Sequence, residues 1–216
     1  EKCRGSPPPP PPCRESSKSH CCSTMDTVLG IKGDGFTMIV ADRTSARSIM
    51  VFNQAEDKIT ELDSHKIIGQ SGPQCDTANF AEYIQKNMTL YELNNDMKLS
   101  TFATANFMRR QLATALRKGP YQTNILLGGY DEGAGASLYF LDLYSALTPV
   151  NFGAHGYASN FCLSIFDREY KEGMSVEEAK AVIDKCIAEL HTRFLISQPN
   201  FLIKIVDKDG VRVMEA

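Results

Sequence analysis

Hydrophobic positions along the chain keep two rhythms, short apolar or alternating runs and three- to four-residue spacings, in the order runs, spacings, runs, spacings, runs. Runs at residues 27–32 and 36–42 flank Gly33-Asp34-Gly35, whose glycines reach positive φ at low cost, so this segment predicts a hairpin. Runs at 48–52, 58–62 and 66–71, the last interrupted by Gly69, extend it into an antiparallel meander, a first sheet nearly complete before any helix. Asp76 then reads as the N-cap of a helix through Tyr91, with Phe80, Ile84, Met88 and Tyr91 on one face. Ser100 caps a second helix, striped by Met108, Leu112 and Leu116 and ended by Gly119-Pro120.

Strands resume at 124–130, 136–142 and near Val150, with a glycine-rich turn at 131–135. A second helical pair follows. Its first member lies around 158–170; the next opens with a capping box, Ser175 and Glu178, and carries Ala179, Ile183, Ile187, Leu190 and Phe194 on one face. Residues 201–206 and 211–214, joined by Asp209-Gly210, close the chain as a hairpin. The runs 38–41 and 125–127 are apolar on both faces and need cover from both sides. An α+β, four-layer αββα sandwich meets that need: two stacked antiparallel sheets, each flanked by a helix pair.

Composition bounds the partners. At 216 residues with 43% hydrophobic content the chain can bury one large core, which predicts one domain over 25–216. A net charge of -3 offers no basic surplus for a phosphate backbone, so no nucleic acid is expected, and no apolar run reaches the roughly 20 residues that span a bilayer. Cys75, Cys162 and Cys186 are scattered and the other four cysteines crowd the first residues without metal-ligand spacing, which reads as a reducing, intracellular protein with no metal or cofactor. Residues 1–24 hold six consecutive prolines and little to bury, and predict a disordered, proline-rich extension, lacking the apolar core of a secretory signal.

The local sequences GFTMIVADR (35–43), FAEYIQKN (80–87), ANFMR (105–109), NILLGGYD (124–131), AHGY (154–157), DREY (167–170) and VDKDG (206–210) occur in that order. Together they resemble beta-type subunits of the proteasome core particle, and within them a non-catalytic branch. The likeness runs from Met25 almost to Ala216 and implies the N-terminal nucleophile hydrolase fold. It further implies a non-catalytic structural subunit, whose partners are other beta subunits of a seven-membered ring, alpha subunits of the adjacent ring, beta subunits of the opposite ring and, indirectly, the regulatory particle. The implied process is ubiquitin-dependent protein degradation in cytoplasm and nucleus.

Active members of that family expose an N-terminal Thr by cleavage at a Gly-Thr bond; the hydroxyl attacks, the chain's own amine is the base, and a Lys and an Asp tune the group. Two registers are open. Aligning on Gly35 puts Met25 at the nucleophile, Ala41 at the Asp and Asp57 at the Lys; aligning on Asp42 and Lys58 puts Asp26 at the nucleophile. Neither supplies a hydroxyl, and no Gly-Thr bond lies nearby, so no catalytic residue is assigned. Around the site Gly72-Pro73 stands where the family has Gly-Gly, and proline has no N–H for an oxyanion. Ala154-His155-Gly156 replaces Gly-Ser-Gly, and Arg193-Phe194, followed by Ser197, replaces an Arg-Asp pair before the late active-site Ser.

Asp42 and Lys58 read as a structural ion pair or as unrelated strand-end residues, and His155 as a packed or interface histidine rather than a general base. Residues 207–210 read as a hairpin turn, not a calcium loop; Gly33-Asp34-Gly35 is no nucleotide loop; the sequon at Asn87 lies on a helix. The competing expectations are an N-terminal nucleophile peptidase activated by processing near Cys22, Ser23 or Thr24, and a binding module using the proline tail as an SH3-type ligand.

Overall fold

The computed structural model describes residues 26–47 and 50–215, so the expectations for residues 1–24 and for Met25 lie outside the described residues. The first hairpin forms as the sequence predicts, from β1 (Val28–Lys32) and β2 (Thr37–Asp42), with Val28 opposite Ala41 and Lys32 opposite Thr37. A short ribbon follows, β3 (Ser45–Arg47) and β4 (Met50–Asn53), where one strand over 48–52 was expected. Next come β5 (Ile59–Asp63) and β6 (Lys66–Ser71), then α1 (Gln74–Asn95) and α2 (Thr101–Ala115). The strands β7 (Asn124–Asp131), β8 (Gly135–Leu141), β9 (Leu147–Pro149) and β10 (Phe152–His155) lead into α3 (Ser159–Glu169) and α4 (Val176–Arg193), and β11 (Phe201–Asp207) and β12 (Gly210–Glu215) close the chain.

One sheet runs β10-β1-β2-β11-β12 and the other β5-β6-β7-β8-β9, so the strands before α1 are divided between the two sheets, not gathered in one. The single strand expected near Val150 is likewise two, β9 and β10, one on each sheet. Alternation along the strands builds the layers. On β2, Met38 and Val40 pack with α3 and α4, while Ile39 and Ala41 face the other sheet. On β7, Ile125 and Leu127 pack with α1 and α2, while Leu126 faces inward. This is the four-layer αββα sandwich. β6 runs unbroken through Gly69, where a Cβ would meet Ile39 Cγ2 and Val28 Cγ1 at 2.7 Å, so the missing side chain serves the close approach of the two sheets.

Two of the three caps expected from the sequence start their helices. Ser100 Oγ accepts from Ala103 N, and the Ser175/Glu178 capping box forms with both bonds. The first helix instead begins after Pro73; Asp76 sits inside its first turn, buried, where its Oδ2 accepts the Gln122 N–H and ties α1 to the segment before β7. Cys162 and Cys186 are buried free thiols.

Candidate functional site

Antiparallel pairing lays the start of β1 beside the end of β2, and this brings three charges together. Asp42, the last residue of β2, accepts the Thr27 N–H at 2.8 Å through Oδ1, and its own N–H donates to the Thr27 carbonyl at 3.1 Å. Lys58, just before β5, donates to Asp26 Oδ1 at 2.7 Å, to Asp42 Oδ2 at 3.1 Å and to the Thr44 carbonyl at 2.7 Å. An ammonium has three hydrogens, and all three are engaged. Asp42 is 1% exposed, and burial pushes its carboxyl up to about 6 against the opposing pull of the Lys58 charge and the Thr27 N–H. Burial also works against the Lys58 ammonium, but Asp42 and Asp26 outweigh it and raise its pKa, so Lys58 is a fixed cation and not a base.

The surroundings close on Asp26. Gly156 has φ 84°, and a Cβ there would lie 1.9 Å from the Asp26 carbonyl oxygen, so only glycine admits the chain at this point. Thr27 is fully buried, and its hydroxyl donates to Gln198 Oε1 at 2.8 Å. The three acceptors that Lys58 donates to are carboxylate or carbonyl oxygens, and none is a hydroxyl of the kind an N-terminal threonine would supply.

This geometry selects between the two registers. Asp26, Asp42 and Lys58 meet in space. Asp57, which the Gly35 register puts at the lysine position, turns away and binds Lys204 at 2.8 Å, and Ala41 lies between the sheets. Met25 lies outside the described residues. Gly72 sits between β6 and α1, and Pro73 is the N-cap of α1. Phe194 caps the C-terminus of α4 and packs toward Phe161, with ring centroids 6.3 Å apart. Ser197 is exposed; its neighbour Gln198 points inward instead. His155 is buried, donates from Nε2 to the Ile125 carbonyl at 3.1 Å and stacks on Phe140, which is the packed reading. Asn87 is buried with its amide on the Tyr83 carbonyl, and Asp207 pairs with Gly210 across a hairpin.

Thr27 and Gln198 escape a reading by sequence. Thr27 could have been found from its place beside Asp26, but Gln198 sits in an irregular segment after α4 and carries no periodic signal. Among the described residues no cluster of His, Cys, Asp and Glu could hold a metal ion, and no helix is long and apolar enough to cross a membrane.

Comparison with known proteins matches residues 23–206 to the proteasome subunit family. The chain is 53% identical over 188 residues to proteasome subunit beta type-2-B of Arabidopsis thaliana, covering 87% of this chain and 94% of that protein. It is 50% identical to proteasome subunit beta type-2 of rice, Oryza sativa subsp. japonica, over 87% and 89% of the two chains. It is also 43% identical to a probable proteasome subunit beta type-4 of Meyerozyma guilliermondii, over 88% of this chain and all of that one.

Proposed function

The chain belongs to the proteasome beta-subunit family, and we propose that within it this subunit is non-catalytic, one structural position of a beta ring in the core particle that degrades proteins marked by ubiquitin. The observation that carries this reading is the Asp26 carboxylate on Lys58, in the place where an active member needs a hydroxyl. Its partners are then the flanking beta subunits, an alpha subunit above and beta subunits of the opposite ring, in cytoplasm and nucleus. The domain of residues 25–216 is the part that assembles.

The test is treatment of purified particles with a threonine-directed epoxyketone, with the mass of every subunit read. This chain is expected to stay unlabelled while its catalytic neighbours gain the reagent. Labelling at a residue near Cys22 or Thr24 would make it a peptidase instead. A chain found chiefly as a free monomer in native extract would overturn the structural role. Deleting residues 1–24, which have little apolar area to contribute, is expected to leave entry into the particle unchanged in native gels.

A further inference from the structure

We infer that the β3–β4 ribbon is a head-to-tail docking element, seated in the groove beside β10 of a neighbouring subunit of the same family; this rests on the ring-member reading above. The ribbon pairs with neither large sheet. Met50, Val51 and Phe52 are 58%, 52% and 66% exposed, and because consecutive strand residues point to opposite faces, both faces of β4 present apolar side chains to water. A two-stranded hairpin by itself is marginal in water. Three consecutive apolar residues exposed on such an element call for an occupant that receives a projection, not one that covers a flat face.

The molecule carries a matching recess. A groove of about 520 Å³, lined by Phe140, Thr148, Val150, Phe152 and Leu163, opens where the edge strands β9 and β10 border the two sheets. Projection and recess lie on different flanks. The ribbon's root is fastened toward β11, through Arg43 N–H to the Asn200 carbonyl at 3.0 Å and Asn200 Nδ2 to the Gln54 carbonyl at 3.3 Å. The groove is on the β10 edge, beyond β1 and β2 in strand order. A projection on one flank and a recess on the other make a heterologous contact, the kind that propagates around a ring. A neighbour with the same fold has the same two edge strands and offers an equivalent recess.

In assembled particles, Phe52→benzoylphenylalanine is expected to photocross-link to another family subunit, on the segment equivalent to β9 and β10. Val150→benzoylphenylalanine is expected to reach the ribbon of the subunit on the other side. Cross-links from position 52 that fall within the same chain, on a different part of the neighbour, or on a small molecule would overturn the proposal. Phe52→Asp, at an exposed position that leaves the fold intact by circular dichroism, is expected to cut incorporation about tenfold or more; unchanged incorporation would equally overturn it. A wild-type chain absent from any large particle refutes the ring-member reading itself, whereas a chain present in the particle with cross-links elsewhere refutes only the docking element.

Discussion

Asp57 and Lys58 are adjacent in the chain and serve two different charge clusters. Lys58 joins Asp26, Asp42 and the Thr44 carbonyl, whereas Asp57 joins Glu61 and the Ile59 carbonyl around Lys204. The formulas are the same: one ammonium, two carboxylates and one carbonyl. The carboxylates differ. Those on Lys58 are 20% and 1% exposed, and those on Lys204 are 49% and 51% exposed. When a cation is lost, an exposed acid takes up water and a buried one cannot, so equal contacts carry unequal stakes.

Lys58→Met is therefore the severest break. It strands Asp42, buried at the end of β2, without its counter-charge, and loss of one member of a buried pair costs about 3–5 kcal/mol. Denaturant unfolding of the isolated chain and its yield in particles are both expected to fall. Replacing both partners, Lys58→Met with Asp42→Leu, is expected to recover part of the loss, because no uncompensated charge then remains. A double variant no better than the single one would show that the pair does more than balance charge.

A buried group with no carboxylate in contact sharpens the contrast. Burial lowers the His155 pKa to about 4, against its bond to Ile125 and the more distant Asp142. A depressed base is neutral when folded and binds protons when unfolded, so the stability it contributes is whole above about 6.5 and is lost as pH falls toward 4, about 3 kcal/mol in all. Asp42 acts with the opposite sign. Its raised pKa means that its ionisation destabilises the fold as pH rises from about 4 through 6, so acid restores what it costs. Comparing wild type with His155→Phe in denaturant titrations between pH 4 and 7 isolates the histidine. The variant is expected to lose the acid-side fall, and a slope unchanged by the substitution would count against a neutral buried His155.

Lys204→Met is the milder break. Its carboxylates are half exposed and can rehydrate, which limits the cost to about 1 kcal/mol. A loss as large as that of Lys58→Met would mean that exposure of the partners is not what separates the clusters.

The layers were legible in the sequence because local rules set them: alternation on β2 and β7, the Ser100 cap, the Ser175/Glu178 box. The hairpin partners were legible too, β1 with β2 and β11 with β12, but which hairpins share a sheet was not. Whether β6 pairs with β2 or with β7 is decided by contacts far apart in the chain, and the ribbon carries the chain from one sheet to the other. Asp76 has the chemistry of a cap, but Pro73, with its fixed φ, starts the helix earlier and leaves Asp76 to a long-range bond. At the site, aligning on Gly35 names Ala41, which lies between the sheets, and Asp57, which turns to Lys204. Asp42 and Lys58, by contrast, touch at 3.1 Å. Gln198 was out of reach, since only the return of the chain after α4 brings it to Thr27.

The smallest effect is expected where the chemistry looks closest to complete. Asp26→Thr, with the terminus exposed at residue 26, puts a hydroxyl and an amine on the Lys58 side of the cluster and removes one of the two acids that share this ammonium. Asp42 then has Lys58 to itself, and because Asp26 is one of the groups raising its pKa, that pKa is expected to drop. The fold should change by less than about 1 kcal/mol, since Asp26 is the more exposed partner. Peptidase activity is nevertheless expected to stay below detection. Phe194 packs toward Phe161 and offers no carboxylate, and Pro73 follows Gly72 with no N–H to offer. One missing oxyanion donor alone lowers the rate about 10² to 10³-fold, and groups that act as a unit do not recover singly. Epoxyketone treatment of particles carrying the variant, read by intact mass, checks this. Stoichiometric adduct at residue 26 would mean that Lys58 and Asp42 suffice to activate a threonine, and that the carboxylate of Asp26 alone keeps the native site silent.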